Sequence, residues 1–364
     1  MKQNGELNPQ VSDGALSLLR DCVQGTTGES LLIVTEPKGT GYYDEDAPVL
    51  ALGAARAMGM DVETIESPLL DGADLGAGVL DVMRGYDHVI FFSRVGDQLR
   101  FSSLKDAPST TMCYTLDREM LESNFGAACY HGLCEVKELL DDTVSNCREV
   151  RVTCPRGTDY SGIPSPLAET WVDASMKRFP MLVPRPVPAE GFSGRIALGE
   201  FVVGTGAHHY SPYSMFFDNE VFAVVEDNRI IRFEGDEVEI ARVNTHYEHV
   251  AGRFGIDPWF VHSWHAGIHP GCGYSTSLRQ EIERWSGCAF GNPRLLHFHT
   301  CGGTAPGEIS WNIVDPTIYV DGIAIWDKGR LHPERLPGGE ALMGAHPKLR
   351  KSFLNPRLDI GMDS

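Results

Sequence analysis

Short strand-length runs separated by helix-length segments constrain this chain more than any other feature. SLLIVTEP (30–37), DVETIES (61–67), DHVIFFSR (87–94) and TTMCYTL (110–116) each have the length and the β-branched or aromatic content of a strand. Helical spacing of Leu16, Leu19 and Val23 follows a Ser-Asp cap in 10–24. A second helix is expected over 47–58 with a stop at Gly59, and a third around 77–84. Strands alternating with helices require crossover connections, and so a mainly parallel sheet. The first half, residues 1–150, is therefore expected to be an α/β domain.

The pattern changes at CREVRVTCPRGTDYSG (147–162), where Val150 and Val152 alternate with polar residues up to a turn, and the region to about residue 193 is dense in proline. GRIALGEFVVGTG, SMFFDNEVFAVVEDNRIIRFEGDEVE and TIYVDGIAIWDKGRL then read as strands joined by hairpins. Asp227-Asn228 and Asp321-Gly322 supply residues that tolerate the left-handed backbone such turns need. With helices over 236–256 and 276–287, residues 151–364 read as an α+β domain rich in antiparallel strands. A chain of 364 residues exceeds one ordinary core, which fits two domains.

The formal charge of −19 argues against nucleic acid or an anionic membrane as a partner, because both demand a cationic face. A small-molecule substrate is unaffected by that argument. No apolar run reaches the roughly 18 residues of a membrane span, and the polar N-terminus has no signal core, so a cytoplasmic location is expected. The nine cysteines are scattered without zinc-knuckle or CxxC spacing, which reads as reduced and mostly buried thiols. Cys272 and Cys301, near the histidines described next, leave a thiolate role open. The GTG at 39–41 lacks the third glycine of GxGxxG and is followed by Asp44, Glu45 and Asp46, whose charge would repel a pyrophosphate.

The chemistry concentrates between positions 262 and 312. Five of the 13 histidines, His262, His265, His269, His297 and His299, fall there, separated by glycines and prolines. Imidazole is the commonest ligand for transition metals and the side chain best suited to proton transfer near neutral pH. His297 and His299, at i and i+2, share one face of a strand, as a two-point clamp needs. His208-His209 and His246/His249 are weaker candidates, the first in an expected loop and the second at i, i+3 on an expected helix. Trp264, Trp285 and Trp311 are aromatic candidates either for a pocket wall or for core packing.

VRVTCPRGTDYSG after an α/β half, then hairpin strands, Gly267-Ile268-His269-Pro270 and ISWNIVDPTIYVDG resemble the thermophilic aminopeptidase T family of metallopeptidases. They equally resemble that family's relative, 2,5-dihydroxypyridine 5,6-dioxygenase, an iron(II) enzyme. The resemblance covers most of the chain in order, and it implies a homo-oligomer. It departs at the ligands: Ser310 and Asn312 stand where the family carries His-x-Asp, and Ser263 where the peptidases carry Glu and the dioxygenase His. Of the family's ligands, His297 alone finds a match, so a dizinc site is not expected.

His265, two residues from a family ligand position, could join His297 and His299. Three imidazoles with open positions would suit one divalent metal, iron(II) ahead of zinc. His262 or His269 would then be general bases and Glu308 an acid or fourth ligand. Three functions stay open: an iron(II) oxygenase opening a small hydroxylated aromatic or N-heteroaromatic ring, a metal- or histidine-dependent hydrolase or lyase, and a non-catalytic binding protein.

Overall fold

The computed structural model describes residues 11–68, 77–100, 107–165, 175–204 and 209–362. The first half builds a five-stranded parallel sheet from Ser30–Thr35, Asp61–Glu66, His88–Phe92, Ser109–Cys113 and Lys177–Phe179. Its spatial order is second, first, third, fourth, fifth. His88–Phe92 is buried throughout, and Ser30–Thr35 is buried over its four central residues. A parallel strand covered by helices on both faces needs that composition. Asp61–Glu66, at the edge, is largely exposed, and its carboxylates discourage pairing with another chain.

The expected helices are present at Asp13–Val23, in which 17–23 are π-helical, and at Asp46–Ala57 and Ala77–Met83. A 16-residue helix not anticipated from the sequence, Tyr130–Ser145, leads out of this half. The fifth parallel strand comes from beyond residue 150, so the chain enters the antiparallel region at Val150–Thr153, returns to the parallel sheet, and leaves again.

Two antiparallel sheets form the rest. One has eight strands, in the order Arg229–Gly235, Val221–Glu226, Phe192–Ala197, Asp159–Gly162, Val150–Thr153, Thr317–Val320, Ile323–Asp327 and Arg330–Leu331. The other has six: Ser214–Phe216, Phe201–Val203, Glu308–Val314, Leu295–Cys301, Val261–Ala266 and Val187–Pro188. The hairpin turns fall where the sequence places them, with positive φ at Asp227 (44°), Asn228 (58°), Asp321 (48°) and Gly322 (81°). GRIALGEFVV, within the stretch read as strands joined by hairpins, divides between the two sheets. Gly199 turns the chain between them with φ 73°, and a Cβ there would lie 2.4 Å from the Asn312 carbonyl oxygen.

The helix expected over 236–256 runs from Glu237 to Phe254. The Asp236 side chain caps it by accepting from the Val238 and Glu239 amides, and Gly255 ends it in the left-handed region. The helix expected over 276–287 forms only from Ile282 to Cys288.

Aromatic rings fill the space between the antiparallel sheets. Phe298 on the six-stranded sheet packs 5.4 Å from Tyr160 on the other, and also against Trp264 and Trp311; Phe192 stacks on Tyr160 at 5.3 Å. Buried ions tie the parallel half to the rest. Arg94, just after the third strand, forks onto the Glu36 carboxylate at 2.8 and 2.9 Å and also reaches Glu283 at 3.1 Å. Glu36 and Arg94 stand where the strand order reverses, the crevice in which open α/β sheets bind ligands, and here they hold one another. Among the described residues no helix is long and apolar enough to cross a membrane.

Phe298→Ala would empty the centre of the sandwich, where the strands facing away from the histidines meet the second sheet. It is expected to cost about 3–5 kcal/mol, read as a lower midpoint in urea unfolding.

Candidate metal centre

Val261–Ala266, Leu295–Cys301 and Glu308–Val314 are successive neighbours in the six-stranded sheet. Residues directly opposite one another in antiparallel strands project to the same face. The register sets His265 opposite His297 and His297 opposite Asn312. Ser263, His299 and Ser310 make the next row, and Cys301 pairs with Glu308. The residues between them, Trp264, Phe298 and Trp311, are buried on the other side in the aromatic sandwich. One face of the sheet is thus apolar and the other polar, yet both are buried: His265, His297, His299, Glu308, Ser263, Ser310 and Asn312 are each at most 9% exposed.

Hydrogen bonds fix the orientation of two of the rings. His265 Nδ1 lies 3.0 Å from the Pro184 carbonyl oxygen, which can only accept, so Nδ1 carries the proton and Nε2 a lone pair. His299 Nδ1 donates in the same way to Glu308 Oε1 at 2.5 Å. The two Nε2 atoms then face each other at 3.1 Å, an arrangement of lone pairs that calls for a proton or a cation between them.

The third ring, His297, lies 4.1 Å from His265 and 5.0 Å from His299, centre to centre, and its Nδ1 is buried with no hydrogen-bond partner among the described residues. One nitrogen from each ring falls within 4.8 Å of the others. Nitrogen ligands that share one ion at ~2.1 Å stand about 3 Å apart, so donors within 4.8 Å of one another could hold a single divalent metal after a small closure of the rings. The Glu308–His299 bond is the carboxylate-histidine support by which such ligands are held in place.

Burial, reinforced by the neighbouring His299, holds His265 well below the ordinary imidazole pKa; burial together with His265 and His299 does the same for His297. Both are therefore neutral at pH 7 and bind a cation without first losing a proton.

Two arginines reach this face from the parallel half. Arg100 ends the Arg94–Leu99 helix, and Arg178 lies in the fifth parallel strand. The field of Arg100 acts on His265, His297 and Glu308, and that of Arg178 on His265. Burial opposes the Arg100 charge, but Asp97, Tyr114 and Glu308 outweigh it and raise its pKa; Asp97 and the Tyr114 hydroxyl each lie 3.1 Å from the guanidinium. Phe290 meets His297 edge-on at 5.5 Å, and Tyr114 meets Phe290 at 5.8 Å, forming an aromatic wall. Neither arginine is signalled by local spacing, since both arrive from elements distant in sequence.

The structure brings together His265, His297, His299 and Glu308, and it places the two expected bases elsewhere. His262 Nε2 donates to the Cys301 carbonyl at 2.8 Å, and its ring lies beside Phe260 and Gly303. His269 is fully buried; its Nδ1 accepts from the Gly271 amide at 3.0 Å, and its ring packs edge-on against Phe125. His246 is buried against Tyr210, whereas His249 is exposed and bonds Ser211, so that pair does not converge. His208 lies outside the described residues.

All nine cysteines are free. Burial pushes the Cys301 thiol up to about 12 and raises Cys272 as well, so neither offers a thiolate. Trp285 and Trp311 are core residues, while Trp264 packs in the sandwich and also lines a cleft.

The chain is similar in structure to 2,5-dihydroxypyridine dioxygenase from Pseudomonas putida KT2440, with 13% identity and a TM-score of 0.57 over 90% of this chain and 99% of that one. At that identity the likeness shows a common fold. No family model matches the sequence, so the expected resemblance to aminopeptidase T finds no counterpart there, and no curated protein matches it.

Glu308→Gln would weaken the hold on the His299 tautomer without emptying the core. Metal affinity is expected to fall about 10–100-fold, measured by competition with a chromophoric chelator, while the circular dichroism spectrum is retained.

Two buried histidines outside the cluster make the fold sensitive to acid. Burial lowers His246 to about 4 and His269 to about 3. Each folded value lies below the ordinary 6.5, so the unfolded chain takes up these protons first. Stability is then present in full above about pH 6.5 and is lost as the pH falls toward the folded values, each group contributing up to about 1.4 kcal/mol per pH unit. His246→Leu should flatten the decline in urea midpoint between pH 6.5 and pH 4.5.

Proposed function

We propose that this protein is a mononuclear metal enzyme. One divalent ion, iron(II) ahead of zinc, is held by His265, His297 and His299, and the reaction opens a small hydroxylated aromatic or N-heteroaromatic ring with dioxygen. The observation that carries the reading is the convergence of three buried imidazoles, two of them locked as nitrogen donors by Pro184 and Glu308. The common fold with a dioxygenase supports it.

When bound, such an ion supplies a Lewis-acid and redox centre with open positions at which substrate and dioxygen are brought together. The chain's own groups do the rest. Glu308 and Pro184 keep His299 and His265 from rotating out of the cluster. Arg100 and Arg178 impose a positive field on the histidine face, which favours binding the ring hydroxyl in its deprotonated form. Tyr114 and Phe290 wall the centre with aromatic surface and exclude water beside His297. Asn312, Ser310 and Ser263 occupy the same buried face and offer neutral hydrogen-bonding groups that add no charge to it.

Elemental analysis of protein purified anaerobically tests this reading, with wild type compared to a variant carrying His297→Ala and His299→Ala. About one iron per chain, lost in the double variant, together with oxygen uptake on hydroxypyridines or catechols, is the expected outcome. One zinc per chain, lost likewise, would put a hydrolase ahead. Absence of metal from the wild type, even after incubation with either ion, would overturn both metal readings.

A further inference from the structure

The Tyr130–Ser145 helix begins at Cys129, whose side chain makes no capping hydrogen bond to the first turn. The thiol turns instead to an imidazole from near the other end of the chain. Cys129 Sγ lies 3.6 Å from His346 Nδ1, within the longer reach of a sulfur hydrogen bond. On the opposite side of the ring, His346 Nε2 lies 3.1 Å from Glu135 Oε1. An ionised carboxylate only accepts, so Nε2 carries the ring proton and Nδ1 presents its lone pair to the thiol. A nucleophile, a base and a carboxylate that orients the base are thus joined in order, the arrangement that activates a thiol.

Packing builds this contact. Gly132, in the first turn of the helix, has no side chain, and a Cβ there would lie 3.0 Å from His346 Cγ and 2.9 Å from Leu349 Cδ2. The bare helix surface admits the imidazole, and Leu349, buried on the Pro347–Leu354 helix that follows His346, anchors it there. The other partly exposed thiols have different partners. Cys147 donates to the Val144 carbonyl and Cys154 to the Thr158 hydroxyl, and neither oxygen takes up a proton near neutral pH. Burial raises the Cys134 and Cys147 thiols above the ordinary range. At Cys129 the positive end of a 16-residue helix adds to the imidazole in favouring the thiolate.

We propose that Cys129 is a thiol-exchange site, served by His346 and Glu135, that forms a mixed disulfide with small disulfides. His346 Nδ1 takes the thiol proton, and the thiolate sulfur attacks one sulfur of the incoming disulfide. The new S–S bond forms as the old one breaks, and the departing thiolate takes the proton from the imidazolium. Cys129 is oxidised and the departing half is reduced; a small thiol reverses both. Exchange of this kind needs a reachable thiol and a proton relay, and it draws on no residue of the histidine cluster.

Treatment of the folded full chain with bis(2-hydroxyethyl) disulfide at neutral pH, quenched with acid and followed by peptide mass mapping, gives each cysteine its own rate. Cys129 is expected to react about tenfold faster than Cys154, because exchange follows the thiolate fraction. His346→Gln should bring Cys129 down to the Cys154 rate and move its pH–rate profile to higher pH. Glu135→Gln, at an exposed position, should slow Cys129 several-fold and move the profile in the same direction. Cys129→Ser should remove that adduct and leave the Cys154 rate unchanged. A Cys129 rate no greater than that of Cys154 would overturn the proposal, and so would a rate that His346→Gln leaves unchanged. If His346→Gln loosens the fold, seen as modification of the buried Cys272, Glu135→Gln decides: a Cys129 rate and profile unchanged in that variant overturn the proposal as well.

Discussion

The antiparallel pairing of Val261–Ala266 with Leu295–Cys301 is the constraint on which the rest depends. Its register sets His265 opposite His297 and Ser263 opposite His299, and the pleat then sends Trp264 and Phe298 the other way. A slip of one residue would exchange the two faces, placing imidazoles in the aromatic sandwich and indoles at the polar centre. The apolar face anchors that register: Phe298, Trp264, Tyr160 and Phe192 form one interlocked cluster that a shifted strand could not rebuild. Packing on one side of the sheet therefore determines chemistry on the other.

A polar face buried this completely needs its own compensation. Glu308, Pro184 and the flanking arginines provide it, and the compensation also assigns roles. A carboxylate that neutralises a buried ring proton fixes the tautomer of His299. A backbone carbonyl, freed for the purpose in a segment where prolines remove backbone donors, fixes that of His265. What remains are lone pairs turned toward one another, a set that is electrostatically unfavourable alone and favourable around a cation. The parallel half completes the enclosure by contributing Arg100, Arg178 and Tyr114, held against the antiparallel part through the Glu36–Arg94–Glu283 network.

The positions at which this chain departs from the resembled enzymes gain meaning in this setting. Ser263, Ser310 and Asn312 share the histidine face and lie in register with His299 and His297. Where the resembled enzymes carry Glu or His and then His-x-Asp, this chain has the neutral Ser263, Ser310 and Asn312, while His265 and His299 place imidazoles in the same small area. The face therefore keeps nitrogen donors and carries less negative charge, which suits one ion better than two.

By itself the sequence determined the alternation of strands and helices that makes the first half parallel, the hairpins at Asp227-Asn228 and Asp321-Gly322, and the shared face of His297 and His299. All of these follow from local rules: side-chain period, capping and left-handed turn residues. It also narrowed the chemistry to a stretch of clustered histidines. Only the tertiary structure decided which of them meet. His262 and His269 lie far nearer in sequence to His265 than His297 and His299 do, yet strand parity turns the first toward Cys301, and the turn at Gly271 takes the second into the core beside Phe125. His265 and His299 come within 3.1 Å across 34 positions of sequence because two strands pair, and Arg100 acts on His265 from the end of a helix in the parallel half. Contacts of that range are set by packing and register, and local spacing carries no record of either.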